Sequence, residues 1–232
     1  MDFSIRKCKG KIKVIVGVGG NNTASCLQKA RMAKESGADA VLMTPPYYNK
    51  TSATGLKTHF LKVADNIDIP LILYNVPSRT VIGIDIDCYK ALARHPNING
   101  TKEASGNLSL INKILCQCEG DMNVWSGNDD NTIPLMSIGA KGVISVMSNL
   151  LPLEVKKICD HCLNRDYSAA FDVYKRYSAL CDALFIDVNP IPIKAAMKLI
   201  GRDRGELRLP LVNLGNSKLE TLKNELRQLG LI

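Results

Sequence analysis

Asn99-Gly100-Thr101-Lys102-Glu103-Ala104-Ser105-Gly106-Asn107 closes a short apolar run, carries a lysine, and breaks into a loop before a helix-like stretch near Leu108. Where strands alternate with helices, catalytic groups gather at the C-terminal ends of the strands. A lysine held there among apolar strands is partly desolvated, which lowers its pKa and frees an amine to attack a carbonyl. One strand earlier, Leu73-Tyr74-Asn75-Val76-Pro77-Ser78-Arg79-Thr80 places a tyrosine and an arginine at the equivalent end. A lone lysine on a loop is usually only a solvated charge. Lysine, tyrosine and arginine at neighbouring strand ends point instead to carbonyl chemistry on an anionic substrate.

Outward from Lys102, apolar and β-branched runs recur at 12–18, 40–43, 71–76, 98–101, 122–125 and 142–146. Helix-period stretches lie between them. Asn22 or Thr23 can cap a helix through Lys34 that ends before Gly37, and Leu56, Phe60, Val63 and Ile67 share one face of the next. Strands alternating with helices require a parallel sheet, because parallel neighbours need a crossover. The runs are nearly continuous rather than alternating, as in strands covered on both faces. After the sixth run the pattern turns to helices alone, at 152–163, 167–184, 192–200 and 218–229. No low-complexity linker intervenes. The expected organisation is a partial (β/α) barrel over 1–150 and a C-terminal helical region over 151–232, packed on it in the same domain. A closed barrel takes eight strands and about 250 residues, so six runs fit either an open doubly wound sheet or a barrel without its first elements.

Composition narrows the function. The 30 Lys and Arg exceed the 22 Asp and Glu, a net charge of +8, but the basic residues are dispersed along helices (Lys29, Arg31, Lys34; Lys156, Lys157). With four Phe and one Trp to stack on bases, a nucleic-acid module is not expected; a mild attraction for anionic metabolites is. No run reaches the ~18 apolar residues of a membrane span, and Met1 to Lys7 lacks the features of a signal peptide. Eight scattered cysteines read as reduced thiols of a cytoplasmic protein, and the Cys116/Cys118 and Cys159/Cys162 pairs lie on separate helical stretches, neither with a convincing partner for a zinc site. His59, His95 and His161 read as solvated or capping, Trp125 as core, and Asp129 and Asp130 as caps. Glu103 sits next to the lysine but faces the other way along a strand, so it is expected to be a structural partner. Gly17-Val18-Gly19-Gly20-Asn21 lacks the spacing and downstream acid of a dinucleotide loop and reads as a tight turn.

Four motifs stand in order: Pro46-Tyr47-Tyr48-Asn49-Lys50, Tyr74 to Thr80, Gly100 to Asn107, and Gly142-Val143-Ile144-Ser145-Val146. Together with Asn189-Pro190-Ile191-Pro192 and Leu207-Arg208-Leu209-Pro210, they resemble the class I, Schiff-base aldolase family of dihydrodipicolinate synthase and N-acetylneuraminate lyase. The resemblance runs from about residue 10 to the C-terminus and implies a TIM (β/α)8 barrel with extra C-terminal helices. It also implies roles. Lys102 forms an imine with pyruvate, Tyr74 relays protons beside it, and Tyr48 is offered to a neighbouring subunit's site. Arg79 binds the carboxylate of aspartate semialdehyde, while Gly127 and Ile144 supply backbone contacts near pyruvate. The implied activity is condensation of the two substrates on the way to lysine and diaminopimelate, in a homotetrameric dimer of dimers. No metal or cofactor is implied, since the imine is itself the electron sink. The arginine after Val76-Pro77-Ser78 favours the synthase over a keto-sugar-acid lyase.

The family's Gly-Thr-Thr-Gly-Glu motif is not found in this sequence. Met1 to Gly10 reads as the tail of the second barrel helix, so the expectation is a chain lacking the first two strands and first helix. The alternative in that case is a non-catalytic fragment.

Overall fold

The alternation of apolar runs and helix-period stretches is what the backbone builds. The computed structural model describes residues 1–118 and 122–232. These fall into two compact units, Met1–Gly127 with Ile138–Lys141, and Asn128–Ser137 with Gly142–Ile232.

In the first unit, α1 (Asp2–Cys8) is followed by β1 (Ile15–Gly17), α2 (Thr23–Glu35), β2 (Ala40–Met43), α3 (Ala53–Ala64) and β3 (Leu71–Asn75). The short α4 (Pro77–Thr80) precedes α5 (Ile86–Leu92), β4 (Ile98–Glu103), α6 (Leu108–Gln117) and β5 (Asn123–Ser126). The five strands lie side by side in chain order, each parallel to the next. Four of these helices, α2, α3, α5 and α6, begin where a side chain replaces a missing backbone partner. Asn22 accepts from the Ser25 N–H at 2.9 Å, Ser52 from Gly55 at 3.2 Å, Asp85 from Cys88 at 2.7 Å and Asn107 from Leu110 at 3.0 Å. The apolar face of α3 buries Leu56, Phe60, Val63 and Ala64, and each large side chain so buried contributes roughly 1.5–3 kcal/mol.

The second unit contains α7 (Thr132–Ser137), β6 (Gly142–Val143), α8 (Pro152–Leu163), α9 (Tyr167–Ala183), α10 (Ile191–Leu199) and α11 (Asn216–Gln228). Its helices match the expected stretches within about two residues, the usual scatter at helix ends. No helix among the described residues is long and apolar enough to cross a membrane.

Several expectations are corrected. The run at 12–18 pairs only over Ile15–Gly17, and Ile12 and Ile15 are 67% and 45% exposed rather than core. The run at 142–146 is a strand for two residues only. Beyond it the carboxylate of Asp129 accepts from the N–H groups of Val146 and Met147 at 2.9 and 3.1 Å and from the Ser145 hydroxyl. Those N–H groups thus bind a side chain, and Asp129 pins a turn rather than capping its own helix. Trp125 is half-buried, its ring laid on Gly100, where a Cβ would fall 2.3 Å from Trp125 Cζ3. Glycine at 19 is likewise a matter of close approach: a Cβ there would lie 2.5 Å from Thr44 Oγ1, which accounts for the turn without a phosphate.

His59 is not solvated. It is 6% exposed, its Nδ1 lies 2.8 Å from Thr23 Oγ1, and its Nε2 is buried with no hydrogen-bond partner among the described residues. Burial holds its pKa below the ordinary value. The unfolded chain therefore binds the proton more readily. Stability is full above the unfolded value of about 6.5 and is lost as pH falls through it. Urea midpoints measured from pH 7.5 to 5 are expected to decline, and a His59→Gln variant to decline less steeply; equal slopes would remove His59 from the account.

Candidate active site

Lys102 and Tyr74 face each other across paired strands. Tyr74 on β3 is in register with Lys102 on β4, and Asn75 with Glu103. The Lys102 ammonium stands 4.3 Å from the centre of the Tyr74 ring, a distance at which a cation is drawn to the ring face. Both residues are half-buried. Burial pushes the Tyr74 hydroxyl above its ordinary value, and the positive charge of Arg79 draws it back. At neutral pH Tyr74 is therefore a proton donor. Lys102 lies within β4 rather than just after it, because the strand runs on to Glu103.

Arg79 rides on α4, the four-residue turn that Pro77 opens directly after β3. Its side chain is exposed. The turn is closed by Val81 at a φ of 66° and by the Thr80 hydroxyl, which donates to the Ile82 carbonyl at 2.7 Å. Gly127, just past β5, donates its N–H to the Glu103 carbonyl at 2.8 Å. A Cβ on Gly127 would lie 2.6 Å from Ala104 Cβ and 3.1 Å from Lys102 Cε. Gly127→Ala is therefore expected to displace the lysine stem and to destabilise the fold by about 1–3 kcal/mol. Thermal melting together with reductive trapping at Lys102 would show it. An unchanged trapping rate would mean that the strand end yields without moving the amine.

One expected residue is not gathered there. Tyr48 is 90% exposed at a φ of 66°, with no hydrogen bond from its hydroxyl among the described residues. Ile144 belongs to the second unit, half-buried just after β6. The structure also reveals a pair that the role assignments passed over. Asn75 and Glu103 are 0% and 1% exposed, and Asn75 Nδ2 donates to Glu103 Oε2 at 2.9 Å. Glu103 also accepts from the Tyr89 hydroxyl at 3.0 Å and the Ser105 N–H at 2.7 Å. Its expected structural part is thus found, with partners on β3 and α5. The clue lay in two adjacent doublets, Tyr74-Asn75 and Lys102-Glu103.

A model of the dihydrodipicolinate synthetase family matches residues 2–229. The chain belongs to that family. Its similarity to curated members is high: 44% identity over 231 residues to the 4-hydroxy-tetrahydrodipicolinate synthase of Thermoanaerobacter pseudethanolicus, covering 99% of this chain and 78% of that protein. The dihydrodipicolinate synthase of Aquifex aeolicus superposes with a TM-score of 0.97 at 39% identity, over 99% of this chain and 79% of that one. The chloride-inhibited dihydrodipicolinate synthase of Acinetobacter baumannii, solved in complex with pyruvate, gives a TM-score of 0.96 at 36% identity, over 100% and 79%. The comparisons do not establish the expected loss of two strands and a helix: the curated match takes in 99% of this chain's residues and 78% of that protein's. The fold shown is α/β with a parallel sheet, matching synthase structures of this family.

Proposed function

We propose that this chain is a 4-hydroxy-tetrahydrodipicolinate synthase, a lyase that condenses pyruvate with aspartate semialdehyde in the synthesis of diaminopimelate and lysine. The observation that carries the reading is the Lys102–Tyr74 pair, 4.3 Å apart on strands in register within a member of this family. The Lys102 amine attacks the ketone carbon of pyruvate; water leaves, and the protonated imine draws electrons from the neighbouring methyl. Loss of a methyl proton gives an enamine, whose carbon attacks the aldehyde. A carbon–carbon bond forms, the aldehyde oxygen takes up a proton to become a hydroxyl, and the second substrate's own amine attacks the imine carbon, closing the ring and expelling the Lys102 amine. Tyr74, protonated and beside the amine, is the group placed to move those protons. Arg79 offers a planar fork to the carboxylate of the aldehyde substrate. Gly127 supplies backbone at the pyruvate end.

Tyr48 completes the site of a second copy in a homo-oligomer, a dimer of dimers. A large side chain left exposed at positive φ costs about 1–3 kcal/mol, and such strain fits a residue held out for a partner. The eight cysteines are all free thiols, which fits a cytoplasmic enzyme. Substrates are small organic acids; neither nucleic acid nor membrane enters the reading.

The test is a paired assay. Pyruvate with borohydride is expected to leave one reduced adduct on the chain, and pyruvate with aspartate semialdehyde to yield the cyclic product. Cleavage of N-acetylneuraminate in place of that condensation would establish the keto-sugar-acid lyase instead.

A further inference from the structure

The buried Asn75–Glu103 pair joins two halves of the site that the chemistry treats separately. Glu103 directly follows Lys102, and three donors converge on its carboxylate: Asn75 Nδ2 at 2.9 Å, the Tyr89 hydroxyl at 3.0 Å and the Ser105 N–H at 2.7 Å. Tyr89 lies 3.0 Å from Thr101 Oγ1, so with its own proton given to Glu103 it accepts from that threonine. The residues on both sides of Lys102 are thereby tied to one helix and one neighbouring strand. Asn75 has a second bond. Its Oδ1 accepts from the Ile84 N–H at 3.0 Å, nine residues on. Between Asn75 and Ile84 runs the segment that carries Arg79, and it returns so closely that a Cβ on Gly83 would lie 3.4 Å from Asn75 Oδ1 and 3.3 Å from Pro77 Cγ.

We infer that Asn75 is a positioning residue for the second substrate: its amide ties the far end of the Arg79 segment to the carboxylate next to Lys102, and so sets the arginine's distance from the imine. This rests on the roles proposed above for Lys102 and Arg79. Arg79 rides on a four-residue turn, and one buried amide, with a donor and its acceptor both used, fixes where the far end of that segment lies. Removing that amide leaves Lys102 held by Tyr89, Thr101 and Ser105 through Glu103, but lets the end of the segment go. The two substrates are then affected unequally, which general loosening of the fold would not produce.

The experiment compares the unaltered chain, Asn75→Ala, Arg79→Ala and the double variant. Reductive trapping of pyruvate at Lys102 and the KM for aspartate semialdehyde are read separately. Asn75→Ala is expected to raise the KM for the aldehyde at least about tenfold, as loss of a buried hydrogen bond to a charged partner does, with pyruvate trapping within about twofold. In the Arg79→Ala background it is expected to add no further rise, because the residue through which it acts is gone. Gly83→Ala keeps every donor and crowds the same contact, and is expected to shift the aldehyde KM in the same direction; it decides the matter if Asn75→Ala does not fold. Parallel loss of trapping and aldehyde capture in folded variants, an unchanged aldehyde KM, or full additivity with Arg79→Ala overturns the inference. Failure of the unaltered chain to trap pyruvate at Lys102 overturns the functional reading itself, and the inference with it.

Discussion

Lys102→Ala is expected to abolish the reduced pyruvate adduct and to lower turnover by about four orders of magnitude or more, the scale on which removal of a nucleophile acts in other covalent enzymes. The reason is structural as well as chemical. The amine stands 4.3 Å from the Tyr74 ring centre, on a strand whose next residue is locked by three hydrogen bonds. No other lysine need be absent for the result to be specific. The surface ammonium groups of Lys13, Lys34, Lys156 and Lys218, for example, are engaged with Asp39, Asp68, Asp160 and Asp187. Peptide mass mapping after borohydride treatment makes the measurement. An adduct of undiminished yield in Lys102→Ala would place the covalent step on another residue and sink the assignment.

Arg79→Ala is expected to raise the KM for aspartate semialdehyde by more than about tenfold, in line with the ~2–5 kcal/mol lost when one partner of a charged hydrogen-bonded pair is removed. Trapping of pyruvate is expected to persist, since the imine forms on a different side chain. A second consequence follows from the electrostatics. The Arg79 charge opposes the rise that burial imposes on the Tyr74 hydroxyl. Without it the tyrosine's pKa moves further up, so a basic limb of the rate profile that reports Tyr74 shifts to higher pH. Arg79→Lys, which keeps the charge but not the fork, is expected to restore the pH limb better than the KM. If pyruvate trapping and aldehyde capture fall together, Arg79 is a structural residue.

Much of this site was legible in sequence. Lys102, Tyr74 and Arg79 stood out because each lies near the C-terminal end of an apolar run or a few residues beyond one, and such runs are local patterns. Helix starts at Asn22 and Asn107 were equally local, a matter of one side chain reaching an N–H three residues on. Burial was less legible. His59 looked like an isolated polar residue, and only the contact with Thr23, 36 positions away, makes it part of the interior. Asp129 looked like a cap because it opens a helix, yet its carboxylate is taken by N–H groups 17 and 18 residues on. Both depend on which segments meet, and periodicity within a segment carries no information about that.

What the sequence determined by itself, then, was the order of strands and helices, the family, and the candidates for the reacting groups. What only the tertiary structure decided was that they face one another. Leu71 pairs with Ile98, but Ile72 pairs with Gly100, a register shift of one residue at Asn99. The shift is matched by an amide from the next strand, Asn123 Nδ2 donating to the Asn99 carbonyl at 3.0 Å. Without it Tyr74 would stand opposite Thr101, and Asn75 opposite Lys102. Side chains alternate in direction at every step along a strand, so one residue of slip turns each of them to the other face. The slip is set by backbone pairing across a sheet, between residues 27 or 28 apart in the chain, and no reading confined to either strand contains it.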